Sequence, residues 1–181
     1  MKILITGHNG FIGKNLWSFL QQRQENVLAI PKEIFSCDSA LQVKFFSEKN
    51  ISSLIHLAAA GVVDNHCSFA ENIDFNVFES HRLIASAINA GCTNITTTGT
   101  CFEYGLTGNS KPYLDVDDIL QPIGYHAISK AVFFHKLKRL YLDSAVNISY
   151  LRLFQVFGSN EHPNRLYPSL VSAARKNVDF P

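Results

Sequence analysis

Three glycines set the first chemical expectation. Gly7, Gly10 and Gly13 are spaced with two residues between each pair. They follow the short apolar run Lys2–Thr6 and lead into a segment of helical spacing, Phe11–Gln22. A chain leaving a buried strand needs a tight turn, which Gly7 supplies. A bare backbone at Gly10 leaves room for an approaching anion, and Gly13 lets the helix pack close to the sheet. The first turn of a helix has amide N–H groups without intrahelical partners and carries partial positive charge. Gly7, Asn9, Gly10, Phe11, Ile12 and Gly13 therefore read as a cradle for the pyrophosphate of a dinucleotide.

The dinucleotide is NAD or NADP. In such units a carboxylate after the second strand binds the adenosine ribose hydroxyls of NAD. Here the second apolar run, Val27–Ile30, is followed by Pro31 and Lys32. Pro31 has no side-chain acceptor to offer. Lys32 suits a ribose 2′-phosphate, the mark of NADP, or is simply solvated, and the two cofactors stay equally open.

The stretch Ile5-Thr6-Gly7-His8-Asn9-Gly10-Phe11-Ile12-Gly13 resembles the opening signature of the NAD-dependent epimerase/dehydratase family, within the extended short-chain dehydrogenase/reductase superfamily. His56-Leu57-Ala58-Ala59 resembles that family's cofactor-lining segment, and Asn76 falls where the family keeps a structural asparagine. Thr98-Gly99-Thr100-Cys101-Phe102-Glu103-Tyr104-Gly105 resembles its hydroxyl-rich strand end and Tyr-Gly pair. Arg152-Leu153-Phe154-Gln155-Val156-Phe157-Gly158 resembles a later block, with Gln155 and Phe157 as departures. The resemblance implies Leu57, Ala58, Ala59, Asn76, Thr98 and Lys130 beside the cofactor, with Asp38 near the adenine. It implies a nucleoside-diphosphate sugar as substrate and an epimerase or 4-keto reductase as the activity. A non-catalytic dinucleotide sensor on the same fold is the alternative. Thr100-Cys101-Phe102 lacks the acidic pattern of the dehydratases, so that reaction is disfavoured.

Chemistry at a sugar carbinol needs a base, a cation that tunes it and a hydroxyl that orients the reacting oxygen. In the resembled family a Tyr and a Lys four residues on share one helix face, with Cβ atoms ~6 Å apart. Thr100 matches the hydroxyl and Lys130 the cation. The residue four before Lys130 is His126, and Tyr125 is five before it. Positions i and i+5 differ by about 140° of rotation, so Tyr125 cannot stand in if the helix already includes it. Three readings compete. His126 is the base; or the helix starts late and Tyr125 swings in from a turn at Gly124; or the base is lost. Glu103 reads as solvated loop charge. Asp115, Asp117 and Asp118 read as an acidic loop, with no metal site.

These residues need elements to hold them. The spacing predicts strands at Lys2–Thr6, Val27–Ile30, Ile51–Leu57, Asn94–Thr98 and Asn147–Phe154. It predicts helices at Phe11–Gln22, Asn76–Ala90, Ala127–Leu142 and Tyr167–Lys176. Lys32–Asn50 is expected to hold a short third strand and a helical turn, and Cys101–Gln121 to be a long loop. The alternation points to an α/β fold of the Rossmann type, a doubly wound parallel sheet. One dinucleotide-binding domain over residues 1–181 is expected. The family's C-terminal substrate domain would be largely absent, with 159–181 as its start, so slow or no turnover is expected.

The 181 residues balance 16 basic against 15 acidic side chains. No basic cluster runs through them, which excludes a nucleic-acid footprint. The apolar N-terminal run is too short for a signal peptide or a membrane span. The four cysteines lack the spacing of a metal or redox pair. A cytoplasmic protein with reduced thiols is expected, and the resemblance implies a homodimer through the two long helices.

Overall fold

The structure, a computed structural model, describes residues 1–62, 67–142 and 144–180. Its strands are β1 (Lys2–Thr6), β2 (Asn26–Ala29), β3 (Ser53–His56), β4 (Asn94–Thr100) and β5 (Asn147–Leu153). All pairings are parallel, in the spatial order β2-β1-β3-β4-β5. Between them run α1 (Phe11–Gln22), α2 (Lys32–Ser36), α3 (Ser39–Lys49), α4 (Phe69–Ile73), a π-helical turn (Asp74–Glu79) and α5 (Ser80–Asn89). A 3-10 turn (Cys101–Glu103), α6 (Leu106–Ser110), α7 (Tyr125–Leu142) and α8 (Leu166–Lys176) complete the chain.

The register places Leu28, Leu4, Leu54, Ile95 and Ile148 in one row across the sheet. Register partners share a face. Phe35, Phe46, Val77, Leu83, Ile84, Phe133 and Leu137 close over this row from α2, α3, the π-helical turn, α5 and α7. Each large side chain buried there contributes about 1.5–3 kcal/mol. Right-handed crossovers place the β1–β2 helix, α1, on the opposite face from the β3–β4 helices. The chain reverses its direction of travel between β1 and β3. Open parallel sheets bind ligands at that crevice, beyond the carboxyl ends of the strands.

The expected fold class holds, with local corrections. No third strand lies in Lys32–Asn50, which forms α2 and α3 instead. Gln42 is fully buried there and donates to the carbonyls of Ile34 and Phe35, so a polar residue ties the two helices together. The helix expected to open at Asn76 begins at Phe69, behind a Ser68–Glu71 capping box. Asn76 therefore lies inside a π-helical turn rather than at a helix start. The Cys101–Gln121 segment contains the 3-10 turn and α6, and β4 extends to Thr100. The helix expected from Ala127 already includes Tyr125.

Gly13 is where α1 meets the β1 turn. A Cβ there would lie 2.0 Å from the Gly7 carbonyl oxygen, whereas at Gly10 its nearest neighbour would be 3.3 Å away. Gly13→Ala is thus expected to destabilise the fold by about 3 kcal/mol, as overpacking against backbone does, and Gly10→Ala by under about 1 kcal/mol. Urea unfolding of both variants checks this. Equal midpoints would contradict it.

Candidate active site

The glycine loop is built against the end of β3. Gly7 has φ +70°, and a Cβ there would lie 2.7 Å from the Ala58 nitrogen. The Thr6 hydroxyl accepts from the Leu57 and Ala58 amides, each at 3.1 Å, and donates to His56 Nδ1 at 2.8 Å. His56 is thereby the Nε2–H tautomer. Burial first, then Lys130, pushes its pKa down to about 3. Gly10 caps α1 with φ −77° and no side-chain bond to the helix amides. Any residue tolerates that backbone, and a Cβ there would meet one close neighbour, the Gly7 carbonyl oxygen at 3.3 Å, a tight contact but far looser than the one at Gly13. Gly10 stands at the start of α1, whose first-turn amides have no side-chain cap, and such a helix start suits an anion such as a pyrophosphate. Asn9, Phe11 and Ile12 lie on the same turn.

Lys32 is the exposed first residue of α2, beyond the end of β2. Asp38 follows a helix and not a strand, and its carboxylate caps α3 through the Leu41 amide at 2.9 Å.

Around the carboxyl end of β4, sequence-distant groups come together. Lys130 is buried and donates from Nζ to the Thr98 carbonyl at 2.8 Å. Burial lowers its pKa to about 8, against the opposing charge of Glu103. Thr100 ends β4, its hydroxyl accepting from the Phe102 amide at 3.3 Å. Gly124, with φ +84°, turns the chain into α7, and its carbonyl already accepts from the Ile128 amide. The irregular turn needed to swing Tyr125 inward is therefore absent. Tyr125 is 56% exposed and packs edge-on against Phe69. His126 faces inward, with Nδ1 2.9 Å from the Ala60 carbonyl oxygen. A carbonyl only accepts, so Nδ1 carries the proton and Nε2 keeps a lone pair. Burial lowers the His126 pKa below its ordinary value; the Ala60 bond opposes this, Lys130 lowers it further and Glu103 raises it.

Asn76 is buried behind this group. Its Oδ1 accepts from the Ala60 amide at 2.8 Å, and its Nδ2 donates to the Ala60 carbonyl at 3.1 Å and the Ser129 hydroxyl at 2.9 Å. It clamps the loop after β3, including Leu57, Ala58 and Ala59, to α7. Beside His126 a cleft of about 240 Å³ is lined by Gly61, Asn72, Phe102, Ile123 and Tyr125, among others.

Glu103, expected as solvated charge, is fully buried instead. It accepts from the Thr100 amide at 2.8 Å, from the Tyr150 hydroxyl at 2.8 Å and from Arg152 Nε at 2.9 Å. The spacing Thr100-x-x-Glu103 is a capping box, a signal that was legible in the sequence. Asp118 pairs with Lys111, and no cluster of metal-ligating side chains occurs among the described residues. No helix among them is long and apolar enough to cross a membrane.

Residues 3–180 match the model of the NAD dependent epimerase/dehydratase family. The chain belongs to this family. It is 28% identical over 179 residues to GDP-6-deoxy-D-talose 4-dehydrogenase of Aggregatibacter actinomycetemcomitans, covering 96% of this chain and 59% of that protein. It is 25% identical over 212 residues to dTDP-D-glucose 4,6-dehydratase of Dictyostelium discoideum, covering 97% of this chain and 48% of that protein. The chain thus spans about half to three-fifths of these relatives' length. A structure of MoeE5 with UDP-glucuronic acid and NAD superimposes with a TM-score of 0.81 at 25% identity, covering 96% of this chain and 61% of that one. Bordetella bronchiseptica WbmG, in complex with NAD and UDP, shares the fold at TM-score 0.80 and 21% identity, covering 99% of this chain and 61% of that one.

The buried Lys130 carries a stability cost. Its folded pKa of about 8 lies below the unfolded value, so the penalty is present in full below pH 8 and fades as pH rises towards the unfolded value. Lys130→Met is therefore expected to stabilise the fold at pH 7 by about 1–3 kcal/mol, a common result of replacing site residues. The gain should shrink at pH 10. Thermal melts at both pH values check it, and destabilisation at pH 7 would contradict it.

Proposed function

We propose that the chain carries the dinucleotide-binding and catalytic part of an NAD-dependent epimerase or 4-keto reductase of nucleoside-diphosphate sugars. Several readings support this. The family is defined by NAD-dependent chemistry. The named relatives act on GDP- or dTDP-linked sugars, and the MoeE5 structure holds NAD with a UDP-linked sugar acid. The observation that carries the proposal is the His126–Ala60 bond, which leaves Nε2 ready to take a proton.

NAD supplies the hydride acceptor and donor for the sugar carbon. In this proposal Gly7, Asn9, Gly10, Phe11, Ile12 and Gly13 hold its pyrophosphate, with Leu57, Ala58, Ala59 and Thr98 along its path. His126 Nε2 removes the carbinol proton, and the Thr100 hydroxyl orients the oxygen. Lys130 holds the nicotinamide ribose, and its charge favours the developing alkoxide. Tyr125 forms a wall of the cleft in which the sugar sits, and is not the base.

His126 must be neutral to accept a proton and Lys130 must be cationic. Hydride transfer should therefore follow a bell in pH, its acid limb below the ordinary histidine value and its alkaline limb near pH 8. His126→Phe is expected to slow single-turnover NADH formation by about 10²–10⁴-fold, the usual contribution of a general base. Tyr125→Phe should change it by less than about threefold. Stopped-flow absorbance with NAD and a panel of nucleoside-diphosphate sugars checks both. The reverse ranking would overturn the assignment of the base.

The proposal includes a homodimer through α5 and α7. Val132 and Tyr141 on α7, and Phe78 on the turn before α5, are exposed apolar side chains that pairing would cover. Sedimentation equilibrium is expected to give twice the chain mass. A monomer at all concentrations would contradict it.

A further inference from the structure

A buried carboxylate with three hydrogen bonds, Glu103, has no role in the chemistry proposed so far. Glu103 is fully buried, one turn beyond Thr100. Its Oε1 accepts from the Thr100 amide and the Tyr150 hydroxyl, each at 2.8 Å. The same hydroxyl lies 3.0 Å from the backbone carbonyl of Lys130, so one proton serves both acceptors. Burial and the adjacent carboxylate hold that phenol protonated. On the other side, Oε2 accepts from Arg152 Nε at 2.9 Å. The guanidinium carbon lies 4.3 Å above the Phe134 ring and 5.1 Å above the Tyr104 ring. The pocket for this carboxylate is built into β4. A Cβ at Gly99 would lie 2.2 Å from Glu103 Oε1 and 2.4 Å from the Tyr150 ring.

We propose that Glu103 is a positioning residue for the reaction: through Tyr150 it ties the end of β4 at Thr100 to α7 at Lys130, and its carboxylate is the counter-charge that keeps the Lys130 ammonium in place. This rests on the reading of Thr100 and Lys130 as site residues. The geometry makes one clamp with two arms. The Lys130 side chain reaches β4 at the Thr98 carbonyl, and the Lys130 backbone reaches it through Tyr150 and Glu103. A hydroxyl and an amine held in one frame keep their separation, and catalysis loses rate steeply when such groups shift.

A plain structural ion pair would stop at Arg152. Glu103 does more, because its charge opposes the burial that drives a proton off Lys130, and it acts in the same direction on His126. The titratable or charged groups around Lys130 are Glu103 after β4, His56 on β3, His126 one turn earlier on α7, and Tyr150 and Arg152 on β5. His56 and Tyr150 are uncharged near neutrality, burial holding the first deprotonated and the second protonated. Glu103 is thus the one anion in this group.

The test reads the Lys130 ammonium by heteronuclear NMR of the chain without ligand, with its resonance assigned from Lys130→Met. It needs neither cofactor nor substrate, so its failure is separable from failure of the proposed activity. In the parent, Lys130 should titrate near pH 8. Glu103→Gln keeps the shape and removes the charge, and should weaken the proton affinity of Lys130 by about tenfold. Glu103→Gln with Arg152→Met also removes the abandoned guanidinium, so that the fold is retained; with that cation gone as well, a smaller downward shift is read. An unchanged Lys130 midpoint in a folded variant would overturn the proposal. So would unfolding of both variants, since that would assign Glu103 to the frame of the sheet alone.

Discussion

The site depends on one close approach of backbone to backbone. The turn after β1 lies so near the end of β3 that Gly7 has no room for a Cβ, and α1 lies so near that turn that Gly13 has none. Thr6 seals the contact by accepting two amides from the β3 loop. The consequences run outward from there. The contact fixes the free amides of α1 over the switch point of the sheet, where an anion gains most from them. It fixes Ala58 to Ala60 beside them. Asn76 then grips Ala60, and Ala60 in turn sets the tautomer of His126. The proposed cofactor cradle and the proposed base are therefore parts of one backbone arrangement.

Charge is handled differently from apolar packing. The core side chains stabilise the fold by leaving water. Lys130, Glu103 and Arg152 work against that trend and persist because each is bonded to another group. A buried lysine destabilises a fold, and a buried carboxylate alone would do the same. Their joint presence at the end of β4 falls at the proposed site, where function would compete with stability.

Much of this was legible in the residues. Glycines at 7, 10 and 13 leave a mark because what matters there is the lack of a side chain, and the following helix ran as its spacing implied. The family followed from short motifs spread along the chain. Lys32–Asn50 was misread because its helices are held by buried Gln42 and by Phe35 and Phe46, and not by a regular apolar stripe. Glu103 was misread because a charged residue in a polar loop is usually solvated, and its partners Tyr150 and Arg152 lie far along the chain. The proposal of His126 over Tyr125 as the base draws on where α7 begins and on the Ala60 carbonyl. Neither is visible without the fold, although the early helix start was compatible with Gly124 as a turn.

The most direct test of the backbone cradle is a titration of the isotopically labelled chain with NAD, followed residue by residue through its amide resonances. Gly10, Phe11 and Ile12 should shift first and furthest, with Ala58 and Ala59 next and the far end of α3 unmoved. Saturating NAD that leaves the amides of Gly10 to Ile12 unchanged, or that moves some other surface instead, would contradict it.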